Sequence, residues 1–155
     1  MVQPIFRKSG INKNVVFGKN VTVVEPVNLY GCKLGDNCFV GPFVEIQKDV
    51  VIGERTKVQS HSFICELVTI GSDCFISHGV MFINDTFKKG RPAGGNKSLW
   101  KKTTIGNNVS IGTNATILPV NICDNVVVGA GSVVTKNIED PGIYVGIPAI
   151  KIKEI

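Results

Sequence analysis

Aliphatic or Phe residues recur along this chain every six positions. The series runs Phe17, Val23, Leu29 and, after one five-residue step, Leu34, Val40, Ile46, Ile52, Val58, Ile64, Ile70, Ile76 and Phe82. It resumes at Ile105, Ile111 and Ile117, and a second five-residue step leads to Ile122, Val128 and Val134. Two residues before each of these eighteen lead positions stands a small or β-branched residue, from Val15 and Val21 through Cys32, Cys38, Thr56, Ser62, Cys74 and Thr103 to Ser132. Glycine directly follows eight of the leads. A helix would need apolar residues three and four apart, and a half-buried strand would need strict alternation. A period of six fits a short strand with one inward pair, then a turn. Three such faces close a triangular coil of eighteen residues, and coils stack at ~4.8 Å, the spacing of hydrogen-bonded strands.

The expected fold is therefore all-β: a parallel β-helix of about six triangular coils, ~30 Å long at that rung spacing. The leads should fill the prism and the smaller residues should fit near its corners. Glycine should serve turns that need a positive φ or a close backbone approach. One coil buries nothing alone, so stability must grow by stacking. Ile5 and Ile11 keep the period and predict part of a starting coil. Residues 137–155 leave the repeat at Pro141, Gly142 and Pro148 and should form a C-terminal cap over the last strand edges.

The step from Phe82 to Ile105 is twenty-three residues, seventeen more than one hexad. The inserted loop, about 85–103, carries Lys88, Lys89, Arg91, Lys97, Lys101 and Lys102 and the only Trp, Trp100. Long loops in compact domains are commonly functional. This one reads as reaching over a neighbouring subunit's face, with a tolerated surface insertion as the plain alternative.

Composition changes the picture little. A length of 155 residues suits one domain, 1–155. The net charge of +5 is spread along the chain, with no basic stripe and no aromatic interleaving, so a nucleic-acid partner is not expected. No apolar run of ~18 residues occurs, so no membrane span is expected. The start lacks a secretory pattern and points to the cytoplasm. Five cysteines without a CxxC argue against a disulfide framework. Cys32, Cys38 and Cys74 fall in the small inward column, and Cys65 and Cys123 fall just after a lead residue, as turn residues.

The hexapeptide pattern, SHGVMFIND with the insertion behind it, NNVSIGTNATILP, VVGAGSVVTK and GIYVGIPA together resemble the left-handed β-helix acyltransferases. Within them the chain is most similar to the nucleotide-linked aminosugar N-acetyltransferases of surface polysaccharide biosynthesis, the group behind O-antigen and S-layer glycans. The left hand comes from this resemblance, since parallel crossovers are otherwise right-handed by strong tendency. The resemblance implies a homotrimer with a site at each subunit interface. It implies acetyl-CoA along the groove between two prisms, and a nucleotide-linked amino-deoxy sugar approaching from the loop side. A dTDP-3-amino-3,6-dideoxyhexose is the preferred acceptor on resemblance alone, and UDP remains open. Asn84 and Asp85 match the family's pair near the sugar amine. Gly129-Ala130-Gly131-Ser132 matches the turn facing the coenzyme, and Gly146, Pro148 and Ala149 match the segment near its nucleotide end. Ile150 stands where the family commonly has Lys, and Lys88-Lys89 precede a displaced Arg91-Pro92.

Amine attack on a thioester needs the partners held together, a proton removed and an oxyanion stabilised. His78, outside the inward columns and six residues before Asn84, is the candidate general base or sugar-orienting group, since histidine exchanges protons near neutrality. Its plain alternative is a solvated turn residue. His61 falls nearly one coil earlier and suits substrate binding or an interface. Asn84 can orient the amine without competing for protons. Asp85 could hold an ammonium or a hydroxyl, polarise His78, or anchor the loop. Backbone amides of Gly112, Ala130 or Gly131 are candidate thioester donors, and Lys101, Lys102, Lys136, Lys151 and Lys153 are candidates for coenzyme phosphates. Trp100 either stacks on ligand or pins the loop. No metal is expected: a zinc carbonic anhydrase of this fold needs three histidines, and the chain has two. An O-acetyltransferase acting on a sugar or serine, and a non-catalytic trimeric scaffold, are the competing readings.

Overall fold

The computed structural model describes residues 9–155. Ile5 lies outside these residues. Ile11 pairs in parallel with Leu29, so the starting coil reaches at least that far.

The strands gather into three parallel sheets of a left-handed β-helix. The first face begins at Val16–Phe17, the second at Thr22–Val23 and the third at Asn28–Leu29. Each face holds six parallel rungs; the second gains two further strands from the C-terminal segment. The register follows the lead residues: Phe17 lies under Leu34, Val40 under Val58, Ile76 under Ile111 and Ile105 under Ile122. Both five-residue steps and the insertion fall at one corner, where the third face turns into the first. The other two corners keep the six-residue step throughout. The fold therefore confines its irregularity to a single edge.

Sixteen of the eighteen leads are buried, and so are their sixteen small companions. The exceptions are Phe17, Val23, Val15 and Val21, all in the lowest full coil, which has little beneath it to complete its burial. The small column is more than a spacer. The Thr56, Cys74 and Ser62 side chains donate to the carbonyls of Gly71, Gly106 and Ser77, each just past a lead on the coil above. Thr, Ser and Cys interchange in this column because each offers a small donor at that place.

Glycine after a lead residue answers to close approach, not to positive φ. A Cβ on Gly71 would stand 2.5 Å from the Gly106 carbonyl oxygen and 2.7 Å from the Asn107 side chain. The left-handed turn positions belong instead to Asn20, Asn37, Arg55, Asp73, Asn108 and Asn125 at the first corner and to Phe43, His61 and Asn114 at the second. The coils sit too close for side chains at one place and bend leftward at another, and the sequence pattern had merged the two demands.

The cap is partial. Gly142–Gly146 pairs in parallel with Val126–Val128 and turns back antiparallel as Ala149–Lys153. Ile138 extends the first face by a single bridge to Ile122. The hairpin follows the second face upward instead of lying across the open end, because its strand continues that sheet's hydrogen-bond ladder. Among the described residues no helix is long and apolar enough to cross a membrane.

Candidate active site

The second corner carries a column of residues two places after each lead: Pro42, Ser60, His78, Thr113 and Ala130. Their backbone pattern is regular. The carbonyls of Ser60, His78 and Thr113 accept from Gly79, Asn114 and Gly131 on the coil above. The preceding residues, Ser77, Gly112 and Gly129, donate to the carbonyls of the leads Ile111 and Val128 and of Tyr144 in the C-terminal hairpin, each on the rung above. The amides of His78, Thr113 and Ala130 are left over and, among the described residues, donate to no protein acceptor. This bears on the three amides left open as candidate thioester donors. Gly112 N–H is taken by Val128 at 2.7 Å and Gly131 N–H by Thr113 at 2.8 Å, so of the three candidates Ala130 alone presents a free amide. Spacing along the chain cannot reveal which amide the inter-coil ladder consumes.

His78 is exposed on this edge, one coil below Thr113 and two below Ala130. Its Nδ1 lies 2.8 Å from Ser60 Oγ on the coil beneath, while its Nε2 has no partner among the described residues. Ser77 and Thr113 share a hydroxyl–hydroxyl hydrogen bond of 2.8 Å beside it. His61 occupies the left-handed turn position of the preceding coil, φ 64°, and its ring packs against Phe43 with centroids 4.8 Å apart. The two histidines share the edge, but Ser60, not His61, lies under His78. Gly146 closes the top of this edge, where its amide donates to Ser132 Oγ at 3.0 Å. Pro148 follows in the exposed hairpin turn.

Asn84 and Asp85 stand at the third corner, at the root of the inserted loop. The Gly79 turn and the whole third face, five residues in all, separate Asn84 from His78, a span on the order of 15 Å. Within one chain Asp85 therefore cannot polarise His78. Its carboxylate instead takes the loop amides of Phe87 at 2.9 Å and Ala93 at 2.7 Å, which makes it the loop's anchor. Asn84 donates its Nδ2 to the Glu66 carbonyl at 3.1 Å, and its own carbonyl accepts from Lys101. Among the described residues Asn84 Oδ1 accepts no hydrogen bond. Asn84 lines a groove of about 350 Å³ walled by Phe63, Cys65, Phe82, Phe87 and Trp100. Lys97 sits above the Trp100 ring, 5.1 Å from its centroid, and is paired to Glu66. Trp100 thus both pins the loop and walls the groove.

Beneath the groove runs a polar chain that sequence reading missed. Asn28 donates to Glu45 at 2.9 Å, Gln47 donates to Glu45 at 2.8 Å, and the Glu66 amide donates to Gln47. These residues lie on successive coils and had no signal beyond their outward register on the third face and corner. Burial and the nearby Glu45 and Glu66 carboxylates raise the Tyr30 phenol above its ordinary range.

Lys136 lies on the third corner, away from Ala130, and Lys151 is engaged by Glu154 at 2.8 Å. Of the coenzyme candidates, Gly112, Ala130, Gly131 and Gly146 thus share the second corner, whereas Lys136 stands apart from them. Cys65, just after the lead Ile64 and before the turn at 66–67, is buried and lines the groove, and burial pushes its thiol up to about 12. A thiol so disfavoured as thiolate is unsuited to nucleophilic attack. Among the described residues no group of three His, Cys, Asp or Glu could hold a metal ion.

Comparison with known proteins agrees with this architecture. Residues 10–42 and 102–136 match the hexapeptide repeat of succinyl-transferase, and residues 31–66 match the bacterial transferase hexapeptide of six repeats. The chain is 39% identical over 125 residues to the bifunctional protein GlmU of Streptococcus uberis, a match covering 80% of this chain and 25% of that protein. It thus spans about a quarter of the length of such curated relatives. Among solved structures, a mutant of AntD, an N-acyltransferase from Bacillus cereus in complex with dTDP and coenzyme A, superposes with a TM-score of 0.66 at 27% identity, over 90% of this chain and 83% of that one. A maltose O-acetyltransferase from Clostridium difficile 630 gives 0.56 at 26% identity, over 90% and 71%.

Proposed function

The chain belongs to the bacterial hexapeptide-repeat transferases, and from that premise we propose that it moves an acetyl group from acetyl-CoA to the amine of a nucleotide-linked amino-deoxy sugar. The observation that carries this reading is the second-corner edge, where the open Nε2 of His78 and the unspent amides of Thr113 and Ala130 lie on one line. A thioester laid along that edge can have its carbonyl oxygen held by a backbone donor while a base waits one or two rungs away. The amine nitrogen attacks the thioester carbon and loses its proton to His78 Nε2. Collapse of the tetrahedral intermediate expels the CoA thiolate, which takes a proton as thiol. The products are the amide and free CoA.

The groove at the third corner supports an aminosugar acceptor. It offers Asn84 Oδ1 to an amine N–H and aromatic walls to a sugar face, with Asp85 at its rim. Edge and groove stand on different corners, so a homotrimer that sets one copy's second corner against its neighbour's third would bring them together. The outward residues of the second and third faces, which flank the second corner, suit such contact: Phe75 and Met81 are each 40% exposed, alongside Phe39, Phe63 and Val127. The acceptor we favour is a dTDP-3-amino-3,6-dideoxyhexose destined for a surface polysaccharide such as an O-antigen or S-layer glycan, acetylated in the cytoplasm.

A panel of UDP- and dTDP-aminosugars tests this directly. The expected result is release of CoA from acetyl-CoA only when an aminosugar nucleotide is present, with an N-acetyl product. No turnover and no CoA binding across the panel would sink the proposal. The likeness to a maltose O-acetyltransferase favours one second reading, transfer to a hydroxyl. An O-acetyl product on maltose, with the aminosugars inert, would establish it instead.

A further inference from the structure

Ser60 occupies the same edge position on its coil as His78 does on the next, eighteen residues later. Its Oγ lies 2.8 Å from His78 Nδ1 and makes no other hydrogen bond among the described residues. The imidazole is exposed, so packing alone does not fix its orientation. Among the described residues Ser60 is its one side-chain partner.

A hydroxyl can donate or accept, and the two arrangements have opposite consequences. If Ser60 donates to Nδ1, the neutral ring carries its proton on Nε2 and presents a donor to the edge. If Nδ1–H donates to Ser60, Nε2 presents a lone pair. Only the second arrangement can receive the amine's proton without a ring flip. It also persists after transfer, because the imidazolium still carries Nδ1–H and Ser60 still accepts it. The partner of one ring nitrogen sets what the other can do.

We propose that Ser60 is the positioning residue for His78: it accepts the Nδ1–H and so holds Nε2 outward as the proton acceptor. The inference rests on the acetyl-transfer reading above for its consequence, but the tautomer is a property of the protein by itself. Thr113 sits at the equivalent edge position of a later coil, so the backbone there accommodates threonine. Ser60→Thr should keep the contact where Ser60→Ala removes it.

The test is ¹⁵N NMR of the full-length protein labelled at histidine, with His78→Asn used to assign the His78 ring, combined with acetyl-transfer rates. The Nδ1–H tautomer is expected in the unsubstituted protein. In Ser60→Ala the ring should shift towards the Nε2–H form, with kcat/KM lower by about tenfold, the scale of one lost hydrogen bond. Ser60→Thr should restore both. An Nε2–H ring in the unsubstituted protein, or a tautomer unchanged in Ser60→Ala, would overturn the proposal. So would an acetylated Ser60 after incubation with acetyl-CoA alone, which would make it a nucleophile instead. If the aminosugar panel is inert, the acetyl-transfer reading fails while the spectra still decide the Ser60–His78 arrangement.

Discussion

The Lys97 ammonium meets both oxygens of the Glu66 carboxylate, at 2.8 and 2.6 Å, and so clasps the inserted loop to the coil below. Glu66 is largely buried, with 13% of its side chain exposed, whereas Lys97 is 55% exposed. The pair is therefore partly shielded, and its worth lies in holding Trp100 and Phe87 over the groove more than in stability. Lys97→Ala should lower the melting temperature little, since exposed pairs contribute about 0–1 kcal/mol. It should speed tryptic cleavage at Lys88 and Lys89 and raise KM for the acceptor more than it lowers kcat. An unchanged cleavage rate would show that the Asp85 anchor suffices without the clasp.

Thr56 makes two bonds inside the prism, donating to the Gly71 carbonyl at 2.8 Å and accepting from the Cys74 amide at 3.0 Å. Thr56→Val keeps the shape and loses both. Leaving two buried polar groups unsatisfied should cost about 2–6 kcal/mol, at about 1–3 for each, visible as a clear fall in Tm. Cys74→Thr, by contrast, should be nearly neutral, because a hydroxyl can replace the thiol as donor to Gly106. Denaturant titration of the two variants side by side checks both.

Ala130→Pro offers a clean probe of the second-corner edge. The Ala130 amide serves no bond in the fold, and Pro42 already occupies the equivalent position of an earlier coil. The variant should fold with an unchanged Tm. If this amide holds the thioester oxygen or the coenzyme chain, kcat/KM for acetyl-CoA should fall about tenfold or more. Calorimetric titration with CoA separates lost binding from lost transition-state stabilisation.

Four buried thiols give the fold a dependence on alkaline pH. Burial pushes Cys32 up to about 11 and Cys65 up to about 12 from 9.0, and raises Cys38 and Cys74 as well. The folded state thus holds protons that the unfolded chain releases. Their contribution is complete below pH 9 and is lost as pH climbs from there towards the raised values. Chemical denaturation between pH 8 and 11 should show stability falling, and replacing Cys65 with Ser should flatten that slope. At pH 8 a disulfide reagent should modify the partly exposed Cys123 first and the buried four only after unfolding.

Gly71→Ala should fail where other small changes succeed. The added methyl would meet the Gly106 carbonyl oxygen and the Asn107 side chain at 2.5–2.7 Å, so the coils must part. Overpacking of this kind costs about 1–3 kcal/mol. Gly90→Ala meets nothing within 4 Å and carries only its own positive φ of 70° in the loop, so it should be the milder change. Thermal unfolding of the pair ranks them.

The prism was legible in the hexads because burial on three equal faces imposes the same demand at every coil. A side chain such as Ile64 or Ile117 must point inward wherever it falls, and the period records that. The two five-residue steps were legible for the same reason, since the leads on either side must stay in register. Candidate chemistry was legible only as residue types. His78, Asn84 and Ala130 stood out by pattern and resemblance, but the pattern says nothing about which corner each one occupies.

The tertiary structure decided the rest. Stacking eighteen-residue coils brings Ser60 under His78, consumes the Gly112 and Gly131 amides, spares Ala130, and sets Asn84 a full face away from the histidine. It also turned Asp85 into an anchor and Cys65 into a buried residue that lines the groove. The physical reason is common to all of these. Side-chain direction follows from the local alternation of a strand, which the chain carries in its own order of residues, whereas hydrogen-bond partners and shared edges arise between coils, where neighbours in space are a whole turn apart in sequence.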